Sequence, residues 1–205
     1  NMLAEYNAGF KQDMRRFLKS DEGMISGAEF HVRRNTGSFG TINYMANQDG
    51  FTLYDTVAYN YRHNEANGED NRDGSEFNYS WNCGIEGATR KQAIRKMREQ
   101  QMRNAFLMLL LSQGTPMIYG GDEFANSQVG NNNAWCQDNA VGWTDWKNAK
   151  KQENLSTFVK EAIAFRKKHP ILHMPQEMRG VDYMAKGHYP RIGAADCICV
   201  GTGKP

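Results

Sequence analysis

Three carboxylates stand where a chain of this kind could work on a substrate. Asp49 follows a short β-favouring run at residues 41–46 (TINYMA) and directly precedes Gly50. A carboxylate at the C-terminal end of a strand stabilises positive charge on a reacting sugar, or holds a pair of hydroxyls. A turn or helix N-cap ahead of Phe51 uses the same residue type at the same place, so position leaves both readings open. Asp122 and Glu123 follow a second short apolar run, 117–119, after Gly120-Gly121. They read either as site-lining carboxylates or as acidic residues favoured at a helix start by the macrodipole. Trp81, Trp135, Trp143 and Trp146 lie in polar stretches. Indole rings there either stack on the apolar faces of sugar rings or anchor the loops that carry them.

Other chemistries find no pattern. Residues 69–74 (EDNRDG) look like a calcium loop, but the twelfth position is Ser80, where an EF-hand needs a bidentate glutamate. His31, His63, His169, His173 and His188 lack ligand spacing, and Pro170 interrupts the one four-residue interval. Cys83, Cys136, Cys197 and Cys199 form no CxxC pair and read as free or buried thiols of a reducing compartment. GxSxG, P-loop and GxGxxG motifs are absent. The expectation is therefore no metal and no cofactor.

The elements that must position these residues alternate. Apolar residues Phe10, Met14, Phe17 and Leu18 predict a helix over 4–19, and 41–46 predicts a strand. A short helix over 51–59 carries Leu53 and Val57. Residues 60–87 form a long loop, rich in Asn, Gly and Asp, whose Phe77, Tyr79 and Trp81 argue for order. The clearest helix spans 89–112, with Ile94, Met97, Met102, Ala105, Phe106, Leu109 and Leu110 expected inside. A buried strand at 117–119, a second long loop at 120–146 and a last helix at 153–168 follow. Such alternation implies a parallel sheet with crossover helices, and chemistry in such folds gathers where strand C-termini enter loops. Both long loops are then expected on one face.

Composition narrows the class. The 205 residues are 40% hydrophobic and 23% charged, which excludes a disordered chain, a collagen and a coiled-coil rod. A net charge of +2 makes no electrostatic case for nucleic acid or an anionic membrane. The longest apolar run, 105–111, is too short to span a bilayer. Residues 1–10 show no signal peptide, which predicts a cytoplasmic protein, although the chain begins with Asn1 rather than Met.

Several long motifs, in order, name a family. Gln48-Asp49-Gly50-Phe51-Thr52-Leu53 resembles the His-Asp-Gly-Phe-Thr-Leu motif of the α-amylase superfamily. Asn64-Glu65-Ala66-Asn67-Gly68-Glu69-Asp70-Asn71-Arg72-Asp73-Gly74 is similar to its glycogen-debranching, isoamylase-type branch. So are Ser112-Gln113-Gly114-Thr115-Pro116, Gly121-Asp122-Glu123-Phe124 and Gly130-Asn131-Asn132-Asn133-Ala134-Trp135-Cys136-Gln137-Asp138-Asn139. The resemblance covers roughly residues 5–190. It implies an α/β fold, part of a (β/α)8 TIM barrel from about the sixth unit to the eighth helix, with 191–205 an unmatched tail. It also implies retaining hydrolysis of α-1,6 links in branched α-glucans such as glycogen, amylopectin and limit dextrin.

Of that family's three carboxylates only the transition-state stabiliser maps here, onto Asp49, following the family's strand seven. Gln48, Glu123, Asn131, Asn132 and Trp135 become the expected substrate contacts. Two departures stand out. Gln48 replaces a histidine and brings an amide that hydrogen-bonds but carries no charge. The nucleophile and acid/base motifs are missing: Gly9-Phe10-Lys11-Gln12-Asp13 and Ala4-Glu5 imitate them, but their surroundings match a segment after strand six. The expectation is a portion of a debranching α-1,6-glucosidase that is inactive alone. Alternatives are a non-catalytic glucan-binding half-barrel or a related α-1,4-acting enzyme. Exposed sheet edges predict self-association.

Overall fold

The computed structural model describes residues 3–36 and 39–174. The tail 191–205, and the end of the matched stretch before it, lie outside these residues. Three parallel strands form one sheet: β1 (Ala4–Tyr6), β2 (Gly40–Tyr44) and β3 (Thr115–Met117). Ala4 pairs with Gly40 and Tyr6 with Ile42, and Ile42 pairs in turn with Thr115. Strand order follows chain order, β1-β2-β3, with no reversal. The helices are α1 (Ala8–Leu18), α2 (Ile25–Arg33), α3 (Leu53–Thr56), α4 (Gln92–Leu111), α5 (Trp146–Lys151) and α6 (Glu153–Lys168). Among the described residues no helix is long and apolar enough to cross a membrane.

The expected helix over 4–19 is really two elements. Residues 4–6 join the sheet, and Asn7 then caps α1 by accepting the Phe10 N–H at 3.1 Å. Asn7 Nδ2 also donates to Asn43 Oδ1 at 2.8 Å, tying the end of β1 to the middle of β2. Helix α2 has no counterpart in the sequence reading. Its cap position, Met24, makes no side-chain capping bond, so the usual start signal is missing. β3 lies two residues before the expected strand, because Thr115 rather than Met117 meets Ile42.

The core is built from Phe10, Met14 and Leu18 of α1, Met102, Ala105, Phe106, Leu109 and Leu110 of α4, and Leu155, Val159 and Ala162 of α6. Burying each large side chain stabilises by about 1.5–3 kcal/mol. Helix α4 departs from its predicted face at one place: Met97 is 44% exposed, and the neighbouring Arg98 is buried instead.

Arg98 is one of three buried arginines spent on backbone carbonyls. It donates to Gly87 at 2.7 Å and Asn82 at 3.0 Å, and also to Ile85. Arg166 of α6 donates to Leu110, Ser112 and Gly114, fixing the turn from α4 into β3. Arg15 of α1 holds Met45, Phe51 and Asn78. Loop carbonyls buried without a ladder partner need donors, and a planar guanidinium supplies several at once.

Candidate active site

Beyond β2 the chain stays buried through Met45, Ala46 and Asn47, then turns Gln48 and Asp49 out to solvent before burying Gly50 and Phe51. The turn is made locally. Asn47 Oδ1 accepts the Asp49 N–H at 3.3 Å, and Gly50 sits at φ +114, a conformation that side chains with a Cβ rarely adopt. The Gly50 N–H donates to the Asn132 carbonyl at 3.2 Å. The N-cap of α3 is Thr52, whose hydroxyl accepts the Asp55 N–H, so the capping alternative for Asp49 does not apply.

Residues from β1, α1 and β2 surround Asp49. Lys11 Nζ reaches its carbonyl at 3.5 Å and lies 5.6 Å above the Tyr44 ring. Burial and the charge of Arg15 lower the Lys11 pKa, against the pull of Asp49. Burial and then Asp49 raise the Tyr44 hydroxyl pKa. Tyr6 packs edge-on against Tyr44, with ring centroids 5.7 Å apart, and is itself exposed. The strand mouth therefore presents Tyr6, Tyr44, Lys11, Gln48 and Asp49 together. Sequence reasoning missed Tyr6, Tyr44 and Lys11. Their only trace was their place at strand ends and on one face of α1, which is legible once β1 is recognised as a strand.

The other expected residues divide. Asp122 is buried and accepts the Leu53 N–H at 2.9 Å, bracing the start of α3. Burial pushes its pKa up to about 7 against that bond and the charge of Arg15. Glu123 is half-buried; its carboxylate accepts the Gly121 N–H at 2.9 Å, and its carbonyl accepts Ser156 of α6. The carboxylate thus closes a local turn, while the main chain is tied to α6. Asn131 and Asn132 are buried within a polar cage. Asn132 donates to Ser75 and Asn78 and accepts from Asn64, each at 2.8 Å, while Asn131 donates to Asn67 at 2.8 Å. Asp73 accepts from Asn67 and Asn133, which lower its pKa.

The residues resembling a calcium loop are thus part of the bracket joining the two long loops. Trp135 stands 85% exposed on the second loop. Trp143 donates to Asp138 at 2.9 Å, and Trp146 lies against Phe124 with centroids 5.5 Å apart, while both rings stay mostly exposed. Both motif imitators are engaged elsewhere: Glu5 of β1 in an ion pair with Arg34 at 2.7 Å, and Asp13 of α1 in a hydrogen bond with the His31 imidazole of α2 at 3.1 Å.

No family model matches the chain. Among curated proteins it is 41% identical over 190 residues to the glycogen operon protein GlgX homolog of Mycobacterium tuberculosis, covering 87% of this chain and 26% of that protein. It is 41% identical over 188 residues to the glycogen debranching enzyme of Dickeya chrysanthemi, covering 88% and 28%. It is 39% identical over 178 residues to chloroplastic isoamylase 3 of Oryza sativa subsp. japonica, covering 82% and 23%. The chain thus spans about a quarter of the length of these relatives. Solved structures share its fold. A pullulanase from Bacillus acidopullulyticus aligns with a TM-score of 0.59 at 20% identity, over 83% of this chain and 19% of that one. A Paenibacillus barengoltzii pullulanase in complex with maltohexaose and α-cyclodextrin gives 0.59 at 19% identity, over 83% and 25%.

Proposed function

The chain belongs to the isoamylase-type, glycogen-debranching branch of the α-amylase superfamily, and on that premise we propose that it forms the sixth to eighth units of a debranching α-glucosidase barrel. The unreversed parallel order β1-β2-β3 is that of consecutive strands in such a barrel. The observation that carries the functional reading is the exposure of Gln48 and Asp49 beyond the middle strand, between buried neighbours on both sides.

In this reading the substrate is a branched α-glucan and the reaction is retaining hydrolysis of its α-1,6 links. As the glycosidic bond breaks, the sugar becomes oxocarbenium-like. The Asp49 carboxylate, carried near the ring hydroxyls by its held main-chain turn, then interacts more strongly with the transition state than with the ground state. The Gln48 amide hydrogen-bonds a neighbouring hydroxyl. Tyr6 and Trp135 offer exposed ring faces for glucose units. Asn131 and Asn132 act behind this surface by holding the loops. The nucleophile and the acid/base come from other units of the complete barrel, because Glu5 and Asp13 are committed to Arg34 and His31. The outer edges of β1 and β3 have no partner strand among the described residues, so the isolated 205 residues self-associate.

The test is affinity electrophoresis through amylopectin gels, paired with an assay for reducing ends. The polypeptide should be retarded by the glucan, less so as Asp49→Asn or Trp135→Ala, and should release no reducing ends. Equal mobility with and without glucan refutes the binding role. Release above a blank that disappears in Asp49→Asn refutes the claim that the bond-breaking pair lies elsewhere.

A further inference from the structure

We propose that Arg15 is a positioning residue for Asp49, holding the exposed turn from both sides through its main chain. This rests on the reading of Asp49 given above. Arg15 Nε donates to the Met45 carbonyl at 2.7 Å, and Nη2 donates to the Phe51 carbonyl at 3.1 Å. These two acceptors bracket Gln48 and Asp49. Nη1 donates to the Asn78 carbonyl at 3.0 Å, and the Asn78 side chain accepts from Asn132, whose own carbonyl caps Gly50. One planar group therefore fixes the entry and exit of the turn and links it to the cage that caps its apex.

The chemistry suits arginine alone. The fork presents donors in fixed directions from one plane, whereas a lysine ammonium is a compact point charge that reaches fewer of the three carbonyls. The side chain is buried, so water does not replace a lost donor. Among the described residues no carboxylate lies in ion-pair contact with Arg15: its three bonds all go to carbonyls, and Asp122 acts on it only through its charge. The placement of Lys11 one turn earlier on α1, touching the Asp49 carbonyl, means that this helix addresses the turn twice.

Arg166 provides the control, because it makes the same type of contact to Leu110, Ser112 and Gly114, away from the turn. Arg15→Lys and Arg166→Lys are compared by amide hydrogen exchange and by maltoheptaose titration of the intact chain. Arg15→Lys should raise exchange at Gly50 at least tenfold, leave Asn43 within twofold, and weaken maltoheptaose binding about fivefold or more. Arg166→Lys should leave Gly50 and the affinity within twofold. Unchanged Gly50 exchange in Arg15→Lys, or equal loosening of Gly50 and Asn43, overturns the proposal. If the wild-type chain does not bind maltoheptaose, the functional reading fails, and the exchange comparison still decides whether Arg15 positions the turn. Should Arg15→Lys not fold, the nitrogen spectrum of the wild-type guanidinium decides: resolved Nη signals from hindered rotation are expected, and averaged signals overturn the proposal.

Discussion

Truncating Asn132 to alanine isolates what the polar cage contributes. The wild-type side chain is 1% exposed and makes three hydrogen bonds, to Ser75, Asn78 and Asn64. The three partners fare differently once it is gone. Asn64 keeps its bond to the Asp73 carbonyl at 3.0 Å, and the Ser75 carbonyl belongs to an exposed residue that water can serve. Asn78 is buried, and its Oδ1 loses the donor facing it. One buried orphan costs about 1–3 kcal/mol and each remaining lost bond about 1 kcal/mol or less, so the total is about 3 kcal/mol. For a chain of this size that lowers Tm by roughly 6–12 °C. Urea unfolding followed by circular dichroism should show the midpoint falling with an unchanged slope. Asn132→Asp should be worse, since a carboxylate cannot donate to the Ser75 and Asn78 oxygens. A loss below about 0.5 kcal/mol, or a wild-type-like Asn132→Asp, would show that the cage is not the strut described. Gly74 belongs to the same test: it sits at φ +73, and an added Cβ would collide with Asn132 Oδ1.

Three further outcomes are expected. Burial holds Asp122 protonated up to about 7, while the unfolded carboxyl titrates near 3.8. Between those values the unfolded chain has released a proton that the folded chain keeps, so stability falls as pH rises through that window and levels off above it. Burial also pushes Asp55 up to about 6, so both carboxyls contribute to this slope, and urea titrations at pH 4.5 and 7.5 should show the slope clearly reduced, not abolished, in Asp122→Asn. Arg98→Met leaves the Gly87, Asn82 and Ile85 carbonyls without their guanidinium and should cost at least about 3 kcal/mol, measured by thermal melting; a change under 1 kcal/mol contradicts the clamp. Cys83 is buried, and burial pushes its thiol up to about 11, whereas Cys136 is exposed. Iodoacetamide at pH 8 should label Cys136 in the native chain and spare Cys83, as read by peptide mass; equal labelling would contradict the packing.

The elements legible beforehand were those whose pattern is local. Helices α4 and α6 show their apolar spacing over 16–20 residues, and the Gly-Thr-Pro after α4 ends it visibly. Motif order along the chain was enough to identify the branch. What failed was short or uncapped. Three residues at Ala4–Tyr6 look no different from a first helical turn until Gly40–Ile42 pairs with them. α2 begins without a capping side chain. The exchange of Met97 for Arg98 on the buried face of α4 was also invisible, because only folding brings the Gly87, Asn82 and Ile85 carbonyls to one spot.

For the candidate site, sequence alone pointed to Asp49 and its Gln48 neighbour, since a strand end, a glycine and a motif are all local facts. The tertiary structure decided which side chains share that place. It put Tyr6, Lys11 and Tyr44 at the mouth, sent Asn131 and Asn132 into the cage, and set the Glu123 carboxylate on the Gly121 N–H. The physical reason is that a residue's type says which bonds it can make, whereas burial and the positions of distant donors and acceptors determine which of those bonds remain open to a ligand.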